Sequence, residues 1–175
     1  MGEGWETLMA AQLFGPTAMT SAGFGAPVGA VPWGHARTTF GLDRLSPVDP
    51  AGVADNPPVL GPAGTIHMNL ADYAKFLRLF LDAGAGVLSA DSRSRLTTPF
   101  QPGDRSYGLG WSTLRTRPWA NGPVLAHEGS NTLWHAFTAL APVRQRAVVT
   151  VCNASAVGGS AACEALGQEL IASLG

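Results

Sequence analysis

The residues that could do chemistry gather between positions 125 and 142, where LAHEGSNTLWHAFTALAP brings His127, Glu128, Ser130, Asn131 and His135 ahead of an apolar run. A histidine, a glycine and a short polar run opening onto an apolar strand suit the wall of a hydrolytic site. Such a wall must face a nucleophile. Ser130 is the nearest hydroxyl, but neighbours within one strand point their side chains in fixed alternate directions, and no G-x-S-x-G elbow is present to expose a serine. A self-contained Ser-His pair is therefore not expected. His127-Glu128 begins like the zinc motif H-E-x-x-H, yet the fifth residue is Asn131, and His35, His67 and His135 show no ligand spacing. No metal and no cofactor are expected. Gly23-Phe24-Gly25 with Gly29 has no strand before it, so it reads as a turn rather than a phosphate cradle.

The elements that must carry this wall follow from periodicity. Residues 5–14 repeat Trp5, Leu8, Met9, Gln12 and Leu13 at a helix-like period until Gly15-Pro16 stops them. Asn69, with Asp72 three positions later, caps a second helix whose apolar face is Leu70, Tyr73, Ala74, Leu77, Phe80 and Leu81, ending at Gly84. Asp72, Lys75, Arg78 and Asp82 are expected on its opposite, solvated stripe. Ser89 caps a short helix through Ser92 and Leu96 that ends before Pro99. After Pro102, strands are expected over 107–114, 124–128, 134–141 and 146–153, joined by short turns that favour antiparallel neighbours. Ala161, Ala165, Leu166, Leu170 and Ile171 give a last helix over 160–174, laid across the sheet.

The fold class is thus α+β, an antiparallel sheet flanked by helices, in one domain spanning 1–175. Residues 1–100 are its helical region, with a long ordered surface loop over 23–62, and residues 101–175 are its sheet strands and last helix. Most of the five tryptophans are core or loop anchors, and Trp134 is the one best placed to touch a ligand.

A composition of 46% hydrophobic and 13% charged residues describes a globular chain able to bury one core. The net charge is −1, and the ten arginines scatter from Arg37 to Arg146, so nucleic acid is not an expected partner. No apolar run approaches the roughly 20 residues of a membrane span. Residues 1–5 lack the basic and apolar regions of a signal peptide, and the compartment stays open. Cys152 and Cys163 fit neither a CxxC pair nor a zinc site, and buried thiols are expected.

Several words in order resemble the C-terminal portion of the β-lactamase-related serine hydrolases, the group of class C β-lactamases, β-lactamase-like esterases and D-amino-acid-peptide hydrolases. Phe14-Gly15-Pro16-Thr17-Ala18-Met19-Thr20 is similar to F-x-P-L-G-M-T, with Thr17-Ala18 in place of Leu-Gly. The run from Gly61 to Phe76 is similar to P-A-G-G-[IVL]-x-S-[ST]-x-x-D-[LMW]-x-[KR]-F, with Asn69 in place of a serine or threonine. Tyr107-Gly-Leu-Gly-Trp111 matches Y-G-L-G-W, and His127-Glu128-Gly129 sits where K-T-G or H-x-G is expected.

The resemblance implies a partial β-lactamase/transpeptidase-like fold and acyl-enzyme hydrolysis of an ester, β-lactam or peptide amide. It puts His127 in place of the K-T-G lysine and makes Gly129 the point of close substrate approach. The backbone N–H of Ser130 becomes one oxyanion donor, while Asn131 and Trp134 lie beside the substrate and Glu128 faces away. The family's S-x-x-K and Y-x-N are both absent: the single lysine, Lys75, follows Asp72 by three, and Tyr73 and Tyr107 are followed two places on by Lys75 and Leu109. The expectation is a rear portion of a longer hydrolase, inactive alone. It would be association-prone through a bare sheet edge and through apolar surface at Phe76, Leu77, Phe80 and 148–151. The alternative is a non-catalytic remnant that binds a ligand or a partner chain.

Overall fold

The computed structural model describes residues 2–38, 44–52, 54–81, 86–100 and 105–175. Helix α1 (Trp5–Met9) runs into a π-helical turn, Ala10–Phe14. Gly15 N–H reaches back to Ala10 O at 2.9 Å and Met19 N–H to Phe14 O at 2.9 Å. The expected 5–14 helix is therefore helical throughout but widens before Gly15-Pro16. The described residues of the 23–62 excursion are held by two small antiparallel ladders. One joins β1 (Gly23–Phe24) to β4 (Ile66–His67), and the other joins β2 (His35–Arg37) to β3 (Leu45–Pro47). Gly23-Phe24, expected in a turn, is a strand, and the chain turns only at Gly25, with φ +82°.

A short helix α2 (Gly61–Gly64) precedes the main helix α3 (Leu70–Leu81), and α4 (Ala90–Thr97) follows, its Ser92 N–H donating to the Ser89 hydroxyl at 3.0 Å. Residues 105–152 then form a meander in which neighbours in sequence are neighbours in space. Its strands are β5 (Arg105–Tyr107), β6 (Ser112–Arg117), β7 (Gly122–Ser130), β8 (His135–Ala141) and β9 (Arg146–Cys152), all antiparallel. Helix α5 (Gly159–Ser173) closes the chain. The expected strand 107–114 is strand at Tyr107 and over 112–114 but is broken between them by a hairpin apex at 108–111. Gly108 N–H donates to Trp111 O at 2.8 Å, and Gly110 turns the chain at φ +94°, a conformation with little steric cost only for glycine.

The sheet has helices on both faces. On one, Leu77, Leu79 and Phe80 of α3 pack on Trp111, Leu125 and Leu140. On the other, α5 brings Ile171 against Val124, Phe137, Ala139 and Ala141. Leu77 and Phe80 are 2% and 5% exposed and Phe76 packs beside them, so the expectation that these three lie bare is corrected: Trp111 covers them. Cys163 is buried as expected, whereas Cys152 is only partly so. Gly84, Asp82 and Pro102, expected as helix stop, helix stripe and start of the strands, lie outside the described residues.

Asp72 is a second correction. It is 3% exposed, not solvated, because residues 18–21 lie against that flank of α3. Its Oδ2 accepts from Ser21 N–H at 2.6 Å and Ser21 Oγ at 2.5 Å, and its Oδ1 accepts from Lys75 Nζ at 2.6 Å. Asp72 N–H donates to Asn69 Oδ1 at 2.8 Å, so the N-cap forms. The return arm of a capping box does not, since Asn69 N–H donates to Ser21 Oγ instead. The bonds from Lys75 and then Ser21 hold the Asp72 carboxyl down from 3.8 to about 2.

Two predictions follow from this packing. A carboxyl whose pKa falls on folding stabilises fully above its unfolded value and loses that contribution as pH drops through its folded value. Asp72→Asn should lower the melting temperature at neutral pH and remove part of the acid sensitivity between about pH 4 and 2, measured by thermal melts across that range. In α5, a Cβ on Gly167 would meet Phe137 Cδ1 at 2.5 Å. Gly167→Ala gains about 1 kcal/mol of helix propensity and loses about 1–3 kcal/mol to overpacking against a buried ring. The melting temperature should fall, despite the better helix former.

Candidate active site

His127 stands on the α3 side of β7, since it alternates with Leu125, which faces that core. Its ring meets Trp111 edge to face at 6.2 Å between centroids, and Trp111 in turn meets Phe80 at 4.9 Å. His127 is an exposed residue of the strand, and the desolvation of the ring side that faces Trp111 lowers its pKa, an effect that the Glu128 charge partly offsets. The imidazole is therefore neutral at neutral pH, with one nitrogen to donate and one to accept. Glu128 points to the opposite face and is exposed.

The backbone of this strand is open where the motif lies. Strand β6 reaches only to Ser112, opposite Ala126, whereas β8 pairs with β7 as far as Ser130. Among the described residues, positions 127–130 of β7 thus have a neighbour on one side only. The bond from Gly108 N–H to Trp111 O fixes the alternation of the ladder. Through the register Tyr107↔Ser112 and Ser112↔Ala126, it turns the backbone groups of Ser112 toward β7 and those of Ala126 toward β6. Two and four residues further on, the N–H and C=O of Glu128 and Ser130 point to the same, unoccupied side. A Cβ placed on Gly129 would meet nothing within 4 Å.

The turn after β7 is tightly bonded. Ser130 Oγ donates to Trp134 O at 2.7 Å and accepts from Thr132 N–H at 2.9 Å, so its proton is committed away from His127. Asn131 Oδ1 accepts from Leu133 N–H at 3.2 Å and Trp134 N–H at 3.0 Å. Asn131 Nδ2 donates to Asp55 Oδ1 at 2.8 Å, which leaves one amide hydrogen. Thr132 sits at φ +74°, a left-handed conformation strained for a β-branched residue. The Trp134 indole lies against Gly34, where a Cβ would come within 2.8 Å of the ring.

His127, Gly129, Ser130 and Asn131 are thus neighbours along one strand end, while Trp134 also packs on Gly34 and Asn131 holds Asp55. Asp55 gave no signal in the sequence, being 76 residues from Asn131. The other histidines serve the scaffold. His67 Nδ1 donates to Gly25 O at 2.7 Å and His35 Nδ1 to Asn153 O at 3.0 Å. His135 is buried, with Nε2 3.4 Å from Glu164 Oε1. Lys75 Nζ is engaged by Asp72 and by Ala18 O at 2.5 Å. An open concavity lined by Ser94, Arg95, Thr98, Pro99, Phe100 and Leu109 contains none of the site residues. Among the described residues no three His, Cys, Asp or Glu side chains gather to hold a metal ion, and no helix is long and apolar enough to cross a membrane.

Comparison with solved structures finds the same fold at low identity. A penicillin-binding protein from Bacillus halodurans superposes with a TM-score of 0.73 at 17% identity, over 95% of this chain and 49% of that one. An octameric penicillin-binding protein homologue from Pyrococcus abyssi gives 0.70 at 18%, over 95% and 37%. A D-stereospecific amidohydrolase from Streptomyces sp. gives 0.69 at 16%, over 88% and 45%. The chain therefore spans less than half the length of each of these proteins. Comparison with curated proteins returns no match. The family model described as Beta-lactamase matches residues 1–170, nearly the whole chain. With its helix-flanked antiparallel sheet and its H-x-G strand, the chain belongs to the beta-lactamase family.

Proposed function

We propose that this chain supplies the histidine and oxyanion wall of a serine acyl hydrolase, and that the nucleophilic serine and its lysine come from polypeptide outside these 175 residues. The observation that carries this reading is the one-sided pairing of His127–Ser130, which leaves the Ser130 N–H without a strand neighbour among the described residues, on the strand that carries His127. The absence of S-x-x-K and Y-x-N from the sequence supports the second half. The names of the structural neighbours, penicillin-binding proteins and a D-stereospecific amidohydrolase, support an amide or β-lactam acyl donor, with esters as the close chemical alternative.

In such a site the incoming serine Oγ attacks the acyl carbon and passes its proton to the lysine beside it. The carbonyl oxygen becomes an oxyanion, held by Ser130 N–H and the nucleophile's own N–H. Gly129 lets the acyl group lie flat along the strand, and neutral His127 offers a hydrogen bond without a net charge. Asn131 keeps one amide hydrogen for the substrate, and Trp134 borders the slot. The oxyanion collapses, the scissile C–N or C–O bond breaks, and the amine or alcohol leaves with the proton that the lysine took from the serine. Water then attacks the acyl-serine carbonyl, and the carboxylic acid departs as the serine hydroxyl is restored. No cofactor enters these steps.

A second reading has its own observation. The outer edge of β9 carries no proline, lysine or bulge, and Val151 is 51% exposed. Such an edge pairs readily with another strand. In that reading the chain is a binding module that takes a partner segment, or a second copy, without turnover.

Two measurements separate the readings. The chain alone should hydrolyse neither a chromogenic cephalosporin nor a p-nitrophenyl ester, and no serine should gain an acyl mass. Adding a polypeptide that carries S-x-x-K and Y-x-N should restore turnover, and an acylated serine in the chain alone would sink the proposal. In the restored enzyme, Gly129→Val should cut acylation at least about 100-fold, the scale of losing an oxyanion contact. It should leave the melting temperature of this chain nearly unchanged, because its Cβ enters open space.

A further inference from the structure

On the sheet face turned away from His127, the two cysteines meet under α5. Cys152 ends β9 and lies opposite His135 in the ladder, two residues from Thr150 on the same face. Cys163 Sγ is 3.5 Å from Thr150 Oγ1 and 3.9 Å from His135 O, which sets it over β9 between residues 150 and 152. Cys152 faces the same side of the sheet beside His135, which brings the two thiols into one neighbourhood under α5. Thr150 Oγ1 donates to Cys163 O at 2.8 Å and pins the helix backbone to the strand that carries Cys152. Cys163 is fully buried, and Cys152 is partly exposed.

We propose that Cys152 and Cys163 form a redox-modification site that takes small-molecule disulfides, closing reversibly into a cross-link between β9 and α5. The exposures assign the order of events. The Cys152 thiolate attacks one sulfur of oxidised glutathione, the glutathione S–S bond breaks, and one glutathione thiolate leaves. The buried Cys163 thiolate then attacks Cys152 Sγ and expels the second. Two electrons and two protons pass from the protein to the glutathione pair, and dithiothreitol reverses the sequence. Burial and the neighbouring thiol push the Cys152 thiol up, so the first step should quicken as pH rises.

The test is intact-mass analysis of the 175-residue chain after exposure to oxidised glutathione at pH 8.5. The expected product is monomeric, lighter by two hydrogen atoms, refractory to iodoacetamide, and higher in melting temperature by roughly 5 °C. Cys163→Ser should stop at the glutathione adduct on Cys152. Ring closure in the folded chain should be at least about tenfold faster than in guanidinium chloride, since folding presets the pair. A stable glutathione adduct on the unsubstituted chain, or closure no faster folded than unfolded, would overturn the proposal.

Discussion

The indole of Trp111 is wedged between helix α3 and strand β7, and the arrangement of the site depends on that wedge. It presents an edge contact to Phe80 at 4.9 Å on one side and to the His127 ring at 6.2 Å on the other, and it is 4% exposed. Buried aromatic pairs of this kind add about 0.5–1.5 kcal/mol each beyond their area. Their larger effect here is positional: a smaller residue at 111 would let α3 settle toward the sheet and free the His127 ring to rotate. Core packing and the placement of the histidine are thus one interaction.

What the sequence made legible was local. Val124, Leu125, Phe137, Leu140 and Val148 fall in short apolar runs bounded by Asn, Pro and Gly, and a period of two with turn residues between describes a meander whatever surrounds it. Ser89 and Asn69 also announced their helices, because a cap acts within three residues of itself. Asp72 was misread because its partners, Ser21 and Ala18 by way of Lys75, lie more than fifty residues away. Periodicity reports one face of a helix, and α3 has two covered faces. The hairpin at 108–111 was hidden for a related reason: glycine at alternate positions suits a kinked strand as well as a tight turn, and only the φ of Gly110 distinguishes them.

The polar chemistry divides the same way. His127 and Gly129 were readable as a motif, but their usefulness depends on where β6 stops, which no residue within the motif encodes. The turn at 131–134 spends nearly all the hydrogen-bonding capacity of Ser130 and Asn131 on its own backbone and on Asp55. That expenditure holds Thr132 in a backbone conformation it would otherwise avoid. It also fixes the direction of the Ser130 amide from the far side.

The hairpin apex at Leu109-Gly110 has a further consequence as a ruler. Strand β7 outruns β6 by four residues, or roughly 13 Å at the usual rise per residue. That bare length is the part of β7 that the proposed acyl donor would have to pair with. Inserting two residues into each arm of the hairpin would carry β6 alongside Glu128 and seal half of the slot, and removing two from each would lengthen it. In the proposed site, the length of that one arm would set how much of an acyl chain the strand could pair with.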